Sequence, residues 1–174
     1  MINKIFALPV IEQLTPVLSR RQLDDLELIV VDHPQVKASV ALQGAHLLSW
    51  KPAGEEEVLW LSGNTPFKNG VALRGGVPIC WPWFGPSAQP GLPSHGFARN
   101  LPWALKGHDE DDKGAVLTFE LKSSEATAST GRTSSPCWRV SSWAKPAKLS
   151  WKRTANLKPL PPCTPISTSA TLRL

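Results

Sequence analysis

With 174 residues, 41% of them hydrophobic, the chain has the length and apolar content of one globular domain, not of a disordered or collagen-like segment. Its net charge of +5 is unevenly held: residues 126–174 contain eight Lys or Arg and no Asp or Glu, which leaves a net −3 on residues 1–125. No stretch approaches the roughly 18 apolar residues of a membrane helix, and the apolar run Ile5–Ile11 meets Glu12 without a small-residue cleavage site, so neither a membrane span nor a signal peptide is expected.

Taken in chain order, Ser19–Leu26 is the candidate short helix, and Leu26–Val31, Val36–Leu42, Leu47–Trp50, Val58–Leu61 and Ala115–Leu121 are candidate strands. Each strand is rich in β-branched or aromatic residues and bounded by turn chemistry, as in Asp32-His33-Pro34, Lys51-Pro52-Ala53-Gly54 and Asp111-Asp112-Lys113-Gly114. Gln43-Gly44-Ala45-His46 falls between two of them, where Gly44 permits a tight turn or bulge. Along Ala115–Leu121, Ala115, Leu117, Phe119 and Leu121 share one face, the expected core face. Strand and turn units of about ten residues predict an all-β fold, an antiparallel β-sandwich or barrel-like domain.

Leu73-Arg-Gly-Gly-Val-Pro-Ile-Cys-Trp-Pro-Trp-Phe-Gly-Pro86 and Leu92-Pro-Ser-His-Gly-Phe-Ala-Arg-Asn100 form a different kind of segment. Its prolines forbid a helix, its aromatics are unlike a disordered linker, and it fixes two guanidinium groups on a stiff backbone. A guanidinium presents a planar fork of donors that suits phosphate or carboxylate, so Arg74 and Arg99 are the candidate anion contacts, against the plainer alternative that each pairs with an acidic neighbour. His95 has three open readings: a general acid or base, a donor to a sugar hydroxyl, or a core histidine. His46 reads as structural, and His33 and His108 as solvent-exposed. Trp81, Trp83 and Phe84 could floor a sugar site or simply pack in the core.

These two segments, together with Val36–Trp50 and Val58–Leu61, closely resemble the hexose-6-phosphate mutarotases (glucose-6-phosphate 1-epimerases), a branch of the aldose 1-epimerase, galactose mutarotase-like superfamily. The resemblance covers residues 1–125. It implies a large antiparallel β-sandwich that interconverts the α and β anomers of a hexose 6-phosphate, such as glucose 6-phosphate, without cofactor or metal. It implies that Arg74 and Arg99 bind the sugar phosphate, with Ser94 and His95 in the same wall. It also implies a catalytic pair in the second half, a His that protonates the ring oxygen and a Glu that takes the anomeric proton; no position of this chain matches either.

Residues 126–174 do not continue the pattern. They hold fifteen Ser or Thr and six Pro, with no sustained period of 2 or 3.6, and are expected to be a basic, disordered or non-native tail behind a 1–125 half-sandwich. Trp138, Trp143 and Trp151 among the tail's basic residues raise an alternative, a non-catalytic sugar-phosphate or nucleic-acid binding module that uses Arg74, Arg99 and the basic tail; the absence of a dense basic run speaks against nucleic acid as a partner. Cys80, Cys137 and Cys163 are odd in number and lack Cys-x-x-Cys pairing, which fits reduced thiols in a cytoplasmic protein and no metal site.

Codon arithmetic explains the tail. When each codon's third base is joined to the first two of the next, Pro161–Thr171 permits Ala-Leu-His-Thr-Tyr-Phe-Asn-Val-Gly-Asp, which resembles the family's sequence around its catalytic His. In the same frame Thr130–Val140 permits Trp-Pro-His-Val-Phe-Thr-Leu-Leu-Ala-Arg, a family-like strand. The expectation is a frameshifted, truncated and inactive member of the family, aggregation-prone because half a sandwich exposes strand edges.

Overall fold

The computed structural model describes residues 2–88, 90–122, 137–143 and 150–154. A five-residue helix, α1 (Ile2–Phe6), leads into β1 (Val10–Gln13), β2 (Leu18–Leu23), β3 (Leu26–His33), β4 (Val36–Ala41) and β5 (His46–Pro52), which form one antiparallel sheet in chain order. After a long irregular stretch come β6 (Ala104–Asp111), β7 (Gly114–Glu120), β8 (Cys137–Trp143) and β9 (Ser150–Thr154), a second antiparallel sheet, also in chain order.

Period-two alternation explains how the first sheet is covered. In β3, Ile29 and Val31 join Leu117 and Phe119 of β7 in the core between the sheets, while Leu28 and Val30 turn to a second core with Ile5, Leu61, Phe67 and Leu73. A strand buried on both faces must be apolar throughout, which is why Leu28 to Val31 is an unbroken run. Along β7 and just past its end, Ala115, Leu117, Phe119 and Leu121 are all buried, as their alternation predicts.

Three local expectations need correction. Ser19–Leu26 is not a helix but most of β2 and the turn into β3; Arg21, polar in sequence, is buried, with Nε donating to Ser19 Oγ at 3.1 Å and Nη1 donating to the Leu8 carbonyl at 3.0 Å and to the Phe6 carbonyl. Val58–Leu61 is not a strand, because Glu57 folds back on β5: its carboxylate accepts from Ser49 Oγ at 2.7 Å and from the Trp50 amide at 2.8 Å. His33 is half-buried rather than exposed, its Nε2 lying 3.0 Å from the Asp111 carbonyl in the opposite sheet. Within the tail, 137–143 and 150–154 run as strands where no regular element is expected, since β7 offers β8 an open edge and Trp138, Val140 and Trp143 favour extended backbone. The other tail residues lie outside the described ones. No helix among the described residues is long and apolar enough to cross a membrane.

Candidate functional site

Between β5 and β6, Ala53 to Trp103 contains no strand, as its prolines and glycines dictate, yet the segment is tied down. Antiparallel bridges pair Leu61 with Gly75 and Leu47 with Val77, and a parallel bridge pairs Trp81 with Gly96. Around the first bridge the Ser62 amide donates to the Arg74 carbonyl at 3.0 Å and the Gly76 amide to the Trp60 carbonyl at 2.8 Å. Leu61 and Leu73 enter the core, so Arg74 and Trp60 are left on the outer face, where both are exposed, Trp60 by 72%. Thr65 fixes the Arg74 backbone twice: its Oγ1 accepts the Arg74 amide at 3.2 Å and donates to the Arg74 carbonyl at 3.0 Å.

Arg99 is half-buried in a 3-10 turn, Ala98–Asn100. Its Nη2 donates to the Ser94 carbonyl at 3.1 Å, while its buried Nε has no hydrogen-bond partner among the described residues. Neither Arg74 nor Arg99 pairs with a carboxylate there; the ion pairs involve Arg20, Lys37 and Lys106 instead. Among the described residues neither arginine forms the surface ion pair of the plainer alternative.

Ser94, His95 and Arg99 come together, with Ser94 exposed and its carbonyl holding Arg99. His95 sits at φ 65°, a left-handed backbone that few side chains adopt, and two bonds to Gly85 keep it there. Its amide donates to the Gly85 carbonyl at 2.7 Å, and its Nδ1 accepts the Gly85 amide at 3.1 Å. A ring whose Nδ1 accepts carries its proton on Nε2 when neutral, which makes His95 a hydrogen-bond donor at the site's rim. Half-buried, with its ring 4.8 Å from that of the 80% exposed Phe84, it is no core histidine. Of the three aromatics, Trp81 is core and meets Phe97 edge-on at 5.4 Å, while Trp83 is half-buried, with Nε1 donating to the Pro93 carbonyl at 3.0 Å.

His46 links the two arginine-bearing segments. It is 1% exposed, and its Nε2–H donates to the Gly75 carbonyl at 2.8 Å. Burial first, and then the charge of Arg99, hold its pKa below the ordinary 6.5, against the opposing effect of the Gly75 bond. The same Arg99 charge acts on half-buried Cys80, whose thiol is nonetheless pushed up by burial. An open cleft of about 600 Å³ lined by Gln43, Asn69, Asn100 and Trp103 includes neither arginine.

One residue at the site escapes a reading of the sequence. Trp60 carries no local signal, because Val58–Leu61 is apolar at every position and nothing in it marks Trp60 as the outward one. His46 is structural, as its sequence reading has it, although its partner Gly75 lies 29 residues away.

The aldose 1-epimerase family matches residues 27–129. A Salmonella typhimurium protein named "Putative glucose-6-phosphate 1-epimerase" is 90% identical over 127 residues, and an Escherichia coli protein of the same name is 82% identical over 127; each match covers 73% of this chain and 43% of the relative. The chain thus spans less than half the length of the curated relatives it matches. The crystal structure of a "putative mutarotase (YeaD)" from Salmonella typhimurium superposes with a TM-score of 0.83 at 75% identity, over 88% of this chain and 52% of that one. An all-β pair of antiparallel sheets, a matching sequence over more than half its length and a close structural neighbour together make this chain a member of the aldose 1-epimerase family.

Proposed function

We propose that residues 1–125 are the phosphosugar-binding half of a hexose-6-phosphate mutarotase (glucose-6-phosphate 1-epimerase), with Arg74 and Arg99 receiving the 6-phosphate and Ser94 and His95 lining the same wall. The observation that carries this reading is a pair of guanidinium groups without carboxylate partners among the described residues, one exposed and one half-buried with an unpartnered Nε. Two such cations in a wall of glycine and aromatic residues need an anion, and phosphate oxygens match the guanidinium fork. His95 Nε2–H and the exposed Trp60 supply a donor and an apolar face for the sugar itself.

Mutarotation opens the ring by giving a proton to the ring oxygen while taking one from the anomeric hydroxyl, so the C1–O bond of the ring breaks and re-forms on either face. The reading assigns that acid and base to the part of the family's length beyond this chain's matched residues. It also holds that residues 126–174 are the family's coding sequence in a shifted frame. The family match ends at residue 129, yet the structural match extends over 88% of the chain with identity lowered to 75%, which supports a tail that fills family positions without family sequence. The chain accordingly binds glucose 6-phosphate and does not turn it over.

Calorimetric titration tests the reading. The 174-residue chain should bind glucose 6-phosphate saturably and glucose far more weakly, and Arg99→Ala should weaken the phosphorylated sugar by about tenfold or more, the cost of losing a charge-assisted hydrogen bond. Equal affinity for the two sugars would refute the phosphate assignment, and anomerisation above the buffer rate would refute the assignment of chemistry to the missing half. Resequencing the codons for Glu125–Ser129 tests the shifted frame; an intact gene whose alternative frame spells no His-Thr-Tyr-Phe downstream counts against it.

A further inference from the structure

The turn between β4 and β5 touches both arginine-bearing segments at once. On one side, Gln43 Nε2 donates to the Val71 carbonyl at 2.8 Å and its Oε1 accepts the Gly70 amide at 2.7 Å, just before Arg74. Just after Arg74, His46 Nε2–H holds the Gly75 carbonyl, and Leu47 exchanges backbone bonds of 3.3 and 2.8 Å with Val77. On the other side, Gln43 bridges Pro102 and the Gly44 amide donates to the Leu101 carbonyl at 2.8 Å, just after Arg99.

Close packing enforces the same arrangement. A Cβ on Gly44 would strike the Arg99 carbonyl, and a Cβ on Gly76 would strike the Leu47 carbonyl and crowd His46 Nε2. Ala45 is held at φ 43°, a left-handed conformation that costs a non-glycine residue energy and persists only where the surroundings over-determine it. Gln43 and His46 are both buried, so a bond lost there is not replaced by water.

We infer that Gln43–His46 is the shared brace that sets the spacing of Arg74 and Arg99, with His46 as a positioning residue acting through the Gly75 carbonyl. This rests on the reading that the two arginines grip one phosphate. The brace explains why His46 is buried beside Arg74: its Nε2–H is aimed at the carbonyl of the next residue, Gly75.

His46→Leu and His46→Gln in the 174-residue chain test it, because glutamine can place an N–H near the position of Nε2 and leucine cannot. Near-UV circular dichroism checks that each variant is folded. By amide hydrogen exchange, Gly76, Val77 and Gly44 should exchange about tenfold faster in His46→Leu and near the parent rate in His46→Gln, as expected for loss and recovery of one buried bond. Affinity for glucose 6-phosphate should follow the same order, with affinity for glucose unchanged. Equal exchange at those amides in all three chains overturns the brace, as does uniform acceleration across every strand. A parent chain that does not distinguish glucose 6-phosphate from glucose overturns the phosphate reading instead, and exchange alone then decides whether the brace holds the loops.

Discussion

The centre of the five-stranded sheet is buried on both faces by apolar runs visible in the sequence, whereas the four-stranded sheet takes β8 and β9 from a segment beyond the end of the family match at residue 129. The first sheet is specified residue by residue: moving β3 by one position would exchange its two cores. In the second, β8 pairs along the edge of β7, with Trp138 opposite Phe119 and Val140 opposite Leu117 in register. Backbone pairing asks for β propensity and a donor pattern; a catalytic site asks for particular side chains at particular places. Keeping a sheet therefore does not by itself keep a catalytic site.

The largest effect should come from repairing the tail. Restoring the family frame within the codons for Glu125–Ser129 should accelerate anomerisation of glucose 6-phosphate by roughly 10²–10⁴-fold over the 174-residue chain, the contribution of positioned acid and base groups. Exchange between anomers followed by NMR measures it, and a repaired chain no faster than the original would break the comparison.

Next is the junction of the two sheets. Phe119 is fully buried between them, so Phe119→Ala should cost about 3–5 kcal/mol in urea denaturation, while Ile11→Ala on the exposed edge strand β1 should stay within about 0.5 kcal/mol. Similar losses for both would mean that the second sheet is not packed on the first.

A smaller effect follows from His46. Its folded pKa lies below the ordinary value, so below about pH 6.5 the unfolded chain binds the proton first and stability falls as pH drops toward the lowered folded value. The slope from this one group cannot exceed about 1.4 kcal/mol per pH unit. His46→Gln should flatten the stability profile between about pH 6.5 and 5, above the main carboxylate range. An unchanged slope would place the proton uptake elsewhere. Smallest is Cys80, whose thiol is pushed up by burial; residue-resolved mass spectrometry should find it alkylated several-fold more slowly than free cysteine at neutral pH.

Much of this was legible beforehand. β3, β4, β5 and β7 follow from β-branched runs bounded by turn residues, and Arg74 and Arg99 from guanidinium groups set among glycine and proline. What was hidden depends on partners distant in sequence. Arg20, Arg21 and Gln22 read as helical because nothing local reveals that Arg21 binds the carbonyls after α1. β6 escaped because Lys106 to Asp111 is polar on both faces, as an edge strand tolerates. His46 reads as structural, but its partner, a glycine carbonyl, is distant in sequence.

The first sheet is a meander, each strand hydrogen-bonded to its neighbour in the chain. Such local pairing closes with little loop entropy and so folds early. During synthesis it can assemble as soon as the loop carrying Leu61, Phe67 and Leu73 has left the ribosome to cover its outer face, before residues 126–174 are translated. The order of assembly of the first sheet is thus independent of whatever sequence follows it.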